Sequence, residues 1–319
     1  MSETKEGKKM FFRISKLLFL ILLLVKPVTA QANVTGTYLY NLSNFEGVIP
    51  YYWCRVVTDR ETNEVYVLYQ NNITIFNEHG MEVYRFGDDV DIGQCVDIAV
   101  DPDGSILLLS YRNSTSTVFR CNYRGDPKSE MKLQNLPADF PMFFPNRVVC
   151  RKNYLYFISL MDMRVLVTDM TGNYKDSYDL FKLCGLEEKD RQDKEIIGFT
   201  VDRDGNLFFT IPALFKVYKV SPDRQVSSFG KSGGAPGRFG VIAGIAVDEQ
   251  GNILITDKLK CIVHVFDKDF KFINEFGYRG GLGPGNLASP DDIAVDGRGR
   301  IYISQSRKRG VSVFNLTYE

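Results

Sequence analysis

Apolar and polar residues alternate along this chain in short bursts that break at turn-forming residues. Four bursts share one phrase: DIAVDPDGSILLLS around Val100, GFTVDRDGNLFFTI around Val201, GIAVDEQGNILITD around Val247 and DIAVDGRGRIYISQ around Val295. Two degenerate copies, CRVVTDRETNEVYVLY and NRVVCRKNYLYFIS, centre on Val57 and Val149. The six anchoring valines stand 43, 49, 52, 46 and 48 residues apart, and regular spacing of this length marks a repeat architecture. In the clear copies an alternating run stops at an Asp-x-x-Gly turn and then resumes, which is the signature of a β-hairpin. Glycine supplies the positive φ of the turn, and aspartate accepts local backbone hydrogen bonds. A second hairpin follows, clearest in FKVYKVSPDRQVSSFG (215–230) and CIVHVFDKDFKFINEFG (261–277).

Four strands per repeat of about 45 residues describe one β-propeller blade. The predicted fold is therefore all-β: a six-bladed β-propeller with four antiparallel strands per blade. The sixth copy ends one strand short, at GVSVFNLTYE (310–319), and TYLYNLSNFEG (37–47) has the form of the missing strand. Pairing of residues 37–43 with 310–316 is expected to close the ring through its N-terminal strand and to cover both open edges.

Of the 319 residues, 44% are hydrophobic and 24% charged, which excludes a disordered or collagen-like chain. Thirty-nine basic residues balance 39 acidic ones, so no bulk field holds a nucleic-acid backbone. Lys8, Lys9, Arg13 and Lys16 precede the apolar run Leu17–Val25, and Val28-Thr29-Ala30 follows it. A basic start, a nine-residue apolar centre and a small-residue end form a secretory signal, expected to be cleaved after Ala30. The nine apolar residues fall well short of the ~20 a spanning helix needs. Residues 31–319 are then a single exported propeller, with 33 basic against 37 acidic residues. Its expected location is secreted, periplasmic or otherwise extracytoplasmic.

All six cysteines lie in the exported part, where disulfides are permitted, and no pair has C-x-x-C spacing. Cys54 and Cys95 stand three and five residues before the anchoring valines of consecutive blades, and are expected to meet as a disulfide at one end of the channel. Five N-x-S/T sequons, at Asn33, Asn41, Asn72, Asn113 and Asn315, are glycosylation sites only in a eukaryotic secretory pathway.

The stretch FGKSGGAPGRFGVIAGIAVDEQGNILITDKLKCIVHVFD (229–267) resembles the NHL-repeat family of six-bladed propellers, running from outer strand through a Gly-rich loop into the next blade. The resemblance covers residues 37–319 as architecture. The family's Asn-His-Arg signature is replaced by Lys260-Cys261-Ile262 and Lys308-Arg309-Gly310, so function tied to that signature does not carry over. An amidating lyase of similar fold needs several metal-binding histidines; this chain has only His79 and His264, far apart in sequence. The Gly230-Lys231-Ser232 tripeptide imitates a phosphate loop, but the earlier glycine position holds Gln225 and no strand-to-helix context follows.

Three residues before the anchoring valines the chain places Cys54, Asp97, Asn146, Gly198, Gly244 and Asp292, where each innermost strand begins. Asp97, Asn146 and Asp292 offer oxygens to a hard cation such as Ca²⁺, and similar lactonase-type propellers hold a channel cation with Asp, Glu and Asn. Calcium usually takes 6 to 8 oxygens, so loop capping is the competing role. Asp101, Asp202, Asp248 and Asp296 belong to the hairpin turns. The same end of the ring collects the inter-blade loops, with Tyr51, Trp53 and Phe143 as aromatic anchors for a partner and Phe144 and Phe239 assigned to inter-blade packing. The charged segment LEEKDRQDKE (186–195) reads as a short solvated helix. No nucleophile, base and orienting group converge, and no cofactor is required. The expected function is non-enzymatic binding or scaffolding of a protein or glycan through the loop-bearing mouth. The alternative is a cation-dependent hydrolase or lyase. RNA binding conflicts with export and with the acidic balance.

Overall fold

The computed structural model describes residues 34–318 apart from 88–91, 113–114, 139, 188, 190–192 and 281–282. The expected signal segment lies outside the described residues. Six four-stranded antiparallel sheets follow one another. Their innermost strands are Arg55–Thr58, Gln94–Val100, Arg147–Arg151, Phe199–Val201, Ile242–Val247 and Pro290–Val295, each holding one anchoring valine. The sixth sheet takes three strands from the C-terminal end of the chain, and its fourth is Val34–Asn41, paired antiparallel with Val311–Tyr318. Thr37 lies opposite Asn315 and Asn41 opposite Ser312, with a register shift between Tyr38 and Tyr40, so the expected segments pair.

The core is divided rather than central. Buried apolar residues form six clusters among the described residues, one between each pair of neighbouring blades. Period-2 alternation here sends side chains to two different neighbours. In the second blade Ile106 and Leu108 pack toward blade 1, while Leu107 and Leu109 pack toward blade 3. A strand buried on both faces reads as a continuous apolar run, which accounts for Ile106-Leu107-Leu108-Leu109 without an intervening polar residue.

The turn aspartates act as the sequence implies. Asp202 Oδ1 accepts from the amides of Asp204 and Asn206, both at 2.9 Å, and Asp248 and Asp296 repeat the arrangement. The glycine of that turn adopts φ 85° at Gly205 and 86° at Gly251, a region unfavourable to residues with a Cβ. A different constraint governs Gly198 and Gly244 on the inner strands. A Cβ on Gly198 would lie 2.3 Å from the carbonyl oxygen of Ala243, and one on Gly244 would lie 2.5 Å from that of Asp291. Missing side chains there let the backbones of blades 4, 5 and 6 approach one another. Thr210 Oγ1 donates to Ala243 O at 2.7 Å and Thr256 Oγ1 to Asp291 O at 2.8 Å across the same two junctions.

Blade 5 buries a charged group. Asp257, inaccessible to solvent, accepts from the amides of Gly240 (2.6 Å), Val241 (3.1 Å) and Lys260 (2.9 Å), and stands 3.4 Å from His264 Nε2. Burial alone would raise its pKa; the His264 contact and the three amides outweigh that and hold it down at about 2.

Two outcomes test this account. Deleting residues 34–41 opens the ring and lowers the melting temperature sharply, whereas an unchanged thermal transition contradicts closure by this strand. Asp257 in the folded protein titrates below the ordinary carboxylate value of about 4, so its stabilisation is complete above that pH and is lost as pH falls toward 2. Denaturant titrations of Asp257→Asn against the parent should show a deficit at neutral pH that shrinks on acidification.

Candidate functional site

The innermost strands surround a channel with a cavity of about 510 Å³. Arg55 stands at its loop-bearing end, and Asp59, Arg60, Glu61, Lys152, Arg203 and Glu249 line it toward the Asp-x-x-Gly turns. Arg55 joins the two acids that the repeat alignment singles out. Its Nε donates to Asp97 Oδ1 at 2.7 Å, and its Nη1 donates to Asp292 Oδ2 at 2.7 Å and Oδ1 at 3.0 Å. Each carboxylate also accepts a backbone amide from the next blade: Asp97 from Val148 at 2.8 Å, Asp292 from Val56 at 2.9 Å. Arg147 Nη1 lies 3.8 Å from Asp97 Oδ1. Burial would raise the pKa of Asp292, but Arg55, Arg147 and the Val56 amide hold it below the usual carboxylate value. The guanidinium of Arg55 gains a still stronger hold on its proton, since the two acids overcome the cost of burial.

This arrangement does not fit a calcium site. The oxygens of Asp97 and Asp292 are committed to a cation the chain itself supplies, and Asn146 Oδ1 accepts from the Leu160 amide at 3.1 Å, within its own blade. Among the described residues no group of three His, Cys, Asp or Glu is placed to hold a metal. The column next to the acidic one carries the counter-charge. Two residues before the anchoring valines the chain reads Arg55, Ile98, Arg147, Phe199, Ile245 and Ile293, and two arginines among four apolar residues were the available signal.

The aromatic anchors divide. Tyr51 is buried, stacked on Tyr69 with ring centroids 4.6 Å apart, and belongs to the core between blades 6 and 1. Trp53 is 69% exposed. Its backbone is held at φ 52° with its amide donating to Gln305 O at 3.2 Å. Beside it, Arg309 Nε donates to the hydroxyl of the exposed Tyr52 at 3.2 Å and the guanidinium lies over the Tyr52 ring. The expected order of Phe143 and Phe144 is reversed. Phe143 is half-buried edge-on to Phe140 in the core between blades 2 and 3, while Phe144 and Met142 face solvent. Phe239 is fully buried, as expected for inter-blade packing. The 186–195 segment lies partly outside the described residues; a single helical turn, Leu180–Leu183, precedes it.

Cys54 and Cys95 do not form the expected disulfide. Both thiols are free and buried, Cys54 in the cluster between blades 6 and 1 and Cys95 in the one between blades 1 and 2. Each faces the blade before its own, so the sheet of blade 1 stands between them. Burial pushes both thiols up to about 12.

A family model described as a 6-bladed beta-propeller matches residues 238–319. No curated protein sequence matches the chain. Among solved structures, a structural genomics protein of unknown function from Bacteroides thetaiotaomicron is similar with a TM-score of 0.61 and 15% identity, over 89% of this chain and 77% of that one. An auxiliary nutrient binding protein from Bacteroides ovatus gives 0.59 and 13%, over 90% and 78%. Virginiamycin B lyase from Staphylococcus aureus gives 0.58 and 14%, over 89% and 99%. Identities this low establish the shared propeller fold alone.

Removing the Arg55 guanidinium leaves two carboxylates facing each other with only Arg147, 3.8 Å from Asp97, as counter-charge. Arg55→Ala is expected to lower stability by about 3–5 kcal/mol, the scale for breaking a buried ion pair from one side. Asp292 with its lowered pKa contributes stability that is complete above the ordinary carboxylate value and lost at lower pH. In Arg55→Ala that acid-sensitive limb should move to higher pH in urea denaturation series.

Proposed function

We propose that this chain is an exported, non-enzymatic binding propeller of NHL type, which engages a protein or glycan partner through the loop-bearing end of the ring. The observation that carries this reading is the aromatic and cationic group of Trp53, Tyr52 and Arg309. An exposed tryptophan held in left-handed backbone, next to an arginine laid over a tyrosine, offers apolar area at small entropic cost together with fixed donors. Half-exposed Val48, which lies close to Gly310, extends the surface. The propeller fold is shared with a nutrient binding protein and supports binding as one of its uses. It is shared with a lyase too, but the Arg55 ion cluster occupies the acids that the cation-dependent alternative requires.

The experiment is capture of the partner from the native envelope or medium on the folded protein, followed by titration of variants. Trp53→Ala should weaken the captured partner by about 1–2 kcal/mol or more, the range for an aromatic anchor, with an unchanged melting temperature. Tyr51→Ala should instead lower thermal stability, because Tyr51 is core. Asp103→Ala, in a turn at the opposite end, should leave affinity unchanged; loss of affinity there with retention in Trp53→Ala means that the binding face is the other one.

A further inference from the structure

The turn end of the channel holds an arginine without a partner. Arg151 closes the innermost strand of blade 3 and lines the cavity. Its Nε is sealed from solvent and has no hydrogen-bond partner. The other arginines of the lining are all engaged: Arg55 with Asp97 and Asp292, Arg60 with Glu249 and with Val247 O at 2.8 Å, Arg203 with Glu249 O at 3.3 Å. Of the lining carboxylates, Asp59, Asp101 and Glu249 are engaged elsewhere. Asp59 accepts from the Glu61 amide and the Thr62 hydroxyl, and Asp101 pairs with Arg120. Burial, with Arg60 nearby, makes it harder for Arg151 to keep its proton, and Glu249 and Asp202 offset this only in part.

A buried guanidinium with an unmet donor is destabilising, and an oxyanion entering the cavity supplies the counter-charge it lacks. Arginine's planar fork matches a carboxylate with two parallel hydrogen bonds. The rest of the wall between Arg55 and the turns includes Val57, Val100, Val149, Ala246 and Ala294. The cavity, at about 510 Å³, has the size of a small-molecule pocket. Glu61 and Glu249 on the same lining disfavour a ligand of high negative charge and favour a monoanion with an apolar body. We propose that the turn end of the central channel is a binding site for a small organic monocarboxylate, whose carboxylate pairs with Arg151 and whose apolar chain lies along the valine wall. This site is at the opposite end of the ring from Trp53 and does not depend on the partner reading above.

Hexanoate is the probe, titrated calorimetrically into the folded chain, with hexanamide and inorganic phosphate as comparisons. Hexanoate should bind, and hexanamide, which keeps the chain but loses the charge, should bind about tenfold more weakly or worse. Arg151→Gln should lose affinity for hexanoate by a similar factor, and Arg151→Lys, which restores charge without the fork, should recover only part of it. Absence of hexanoate binding, equal affinity for hexanamide, or an unaffected Arg151→Gln variant overturns the proposal. Tighter binding of phosphate than of hexanoate overturns the ligand class. Should Arg151→Gln fail to fold, the comparison of hexanoate with hexanamide on the unmodified chain decides alone.

Discussion

Pairing of Val34–Asn41 with Val311–Tyr318 is the contact on which the rest of the molecule depends. An antiparallel sheet with apolar residues on both faces needs a neighbour on each side, and each of the six sheets has two neighbours once the ring closes. The core follows from this: six layers, none of them belonging to a single blade. The junction completed by the N-terminal strand is also where residues from opposite ends of the chain meet. Val34 packs in the same cluster as Phe314 and Leu316, and Leu42 in the same cluster as Val311 and Val313.

Close to the axis the blades have to approach without leaving backbone groups unpaired, and the chain solves this differently around the ring. Between blades 4, 5 and 6 it removes side chains, at Gly198 and Gly244, and lets threonine hydroxyls reach the next backbone. From blade 6 through blade 3 it uses charge. Asp292 and Asp97 each take an amide from the following blade, and Arg55 ties the two acids together. A guanidinium shared between two carboxylates keeps each of them paired where solvent is scarce. The same arrangement fills the loop-bearing end of the channel with the chain's own charges, which leaves Arg151 nearer the turns as the cavity arginine with donor capacity to spare.

The candidate site was legible in part, and the division follows burial. Asp97 and Asp292 were found because repeats superimpose, so residues at one column must lie at one height along the axis. What lies between them was not found, because a ring brings column neighbours together across 42 and 237 residues of sequence. Trp53 lies on the surface, while Tyr51 two residues earlier is core. The residues flanking a strand turn toward core or solvent according to the path of the loop, and that path is set by contacts such as Tyr51 on Tyr69 and the Trp53 amide on Gln305. Phe143 and Phe144 exchanged roles for the same reason.

By itself the sequence determined the number of blades, the four strands of each, the turn aspartates and glycines, and which terminal segments close the ring. Those features depend on short-range periodicity and on backbone angles, which local residue types dictate. Only the tertiary structure decided which face of a strand meets which neighbour, hence the separation of Cys54 from Cys95, the burial of Tyr51, the ion cluster of Arg55 and the unpartnered Arg151. Each of these is a pairing between distant segments, and its energy comes from exclusion of water after the ring has closed. Alternation alone says that two faces exist; closure of the ring determines what each of them touches.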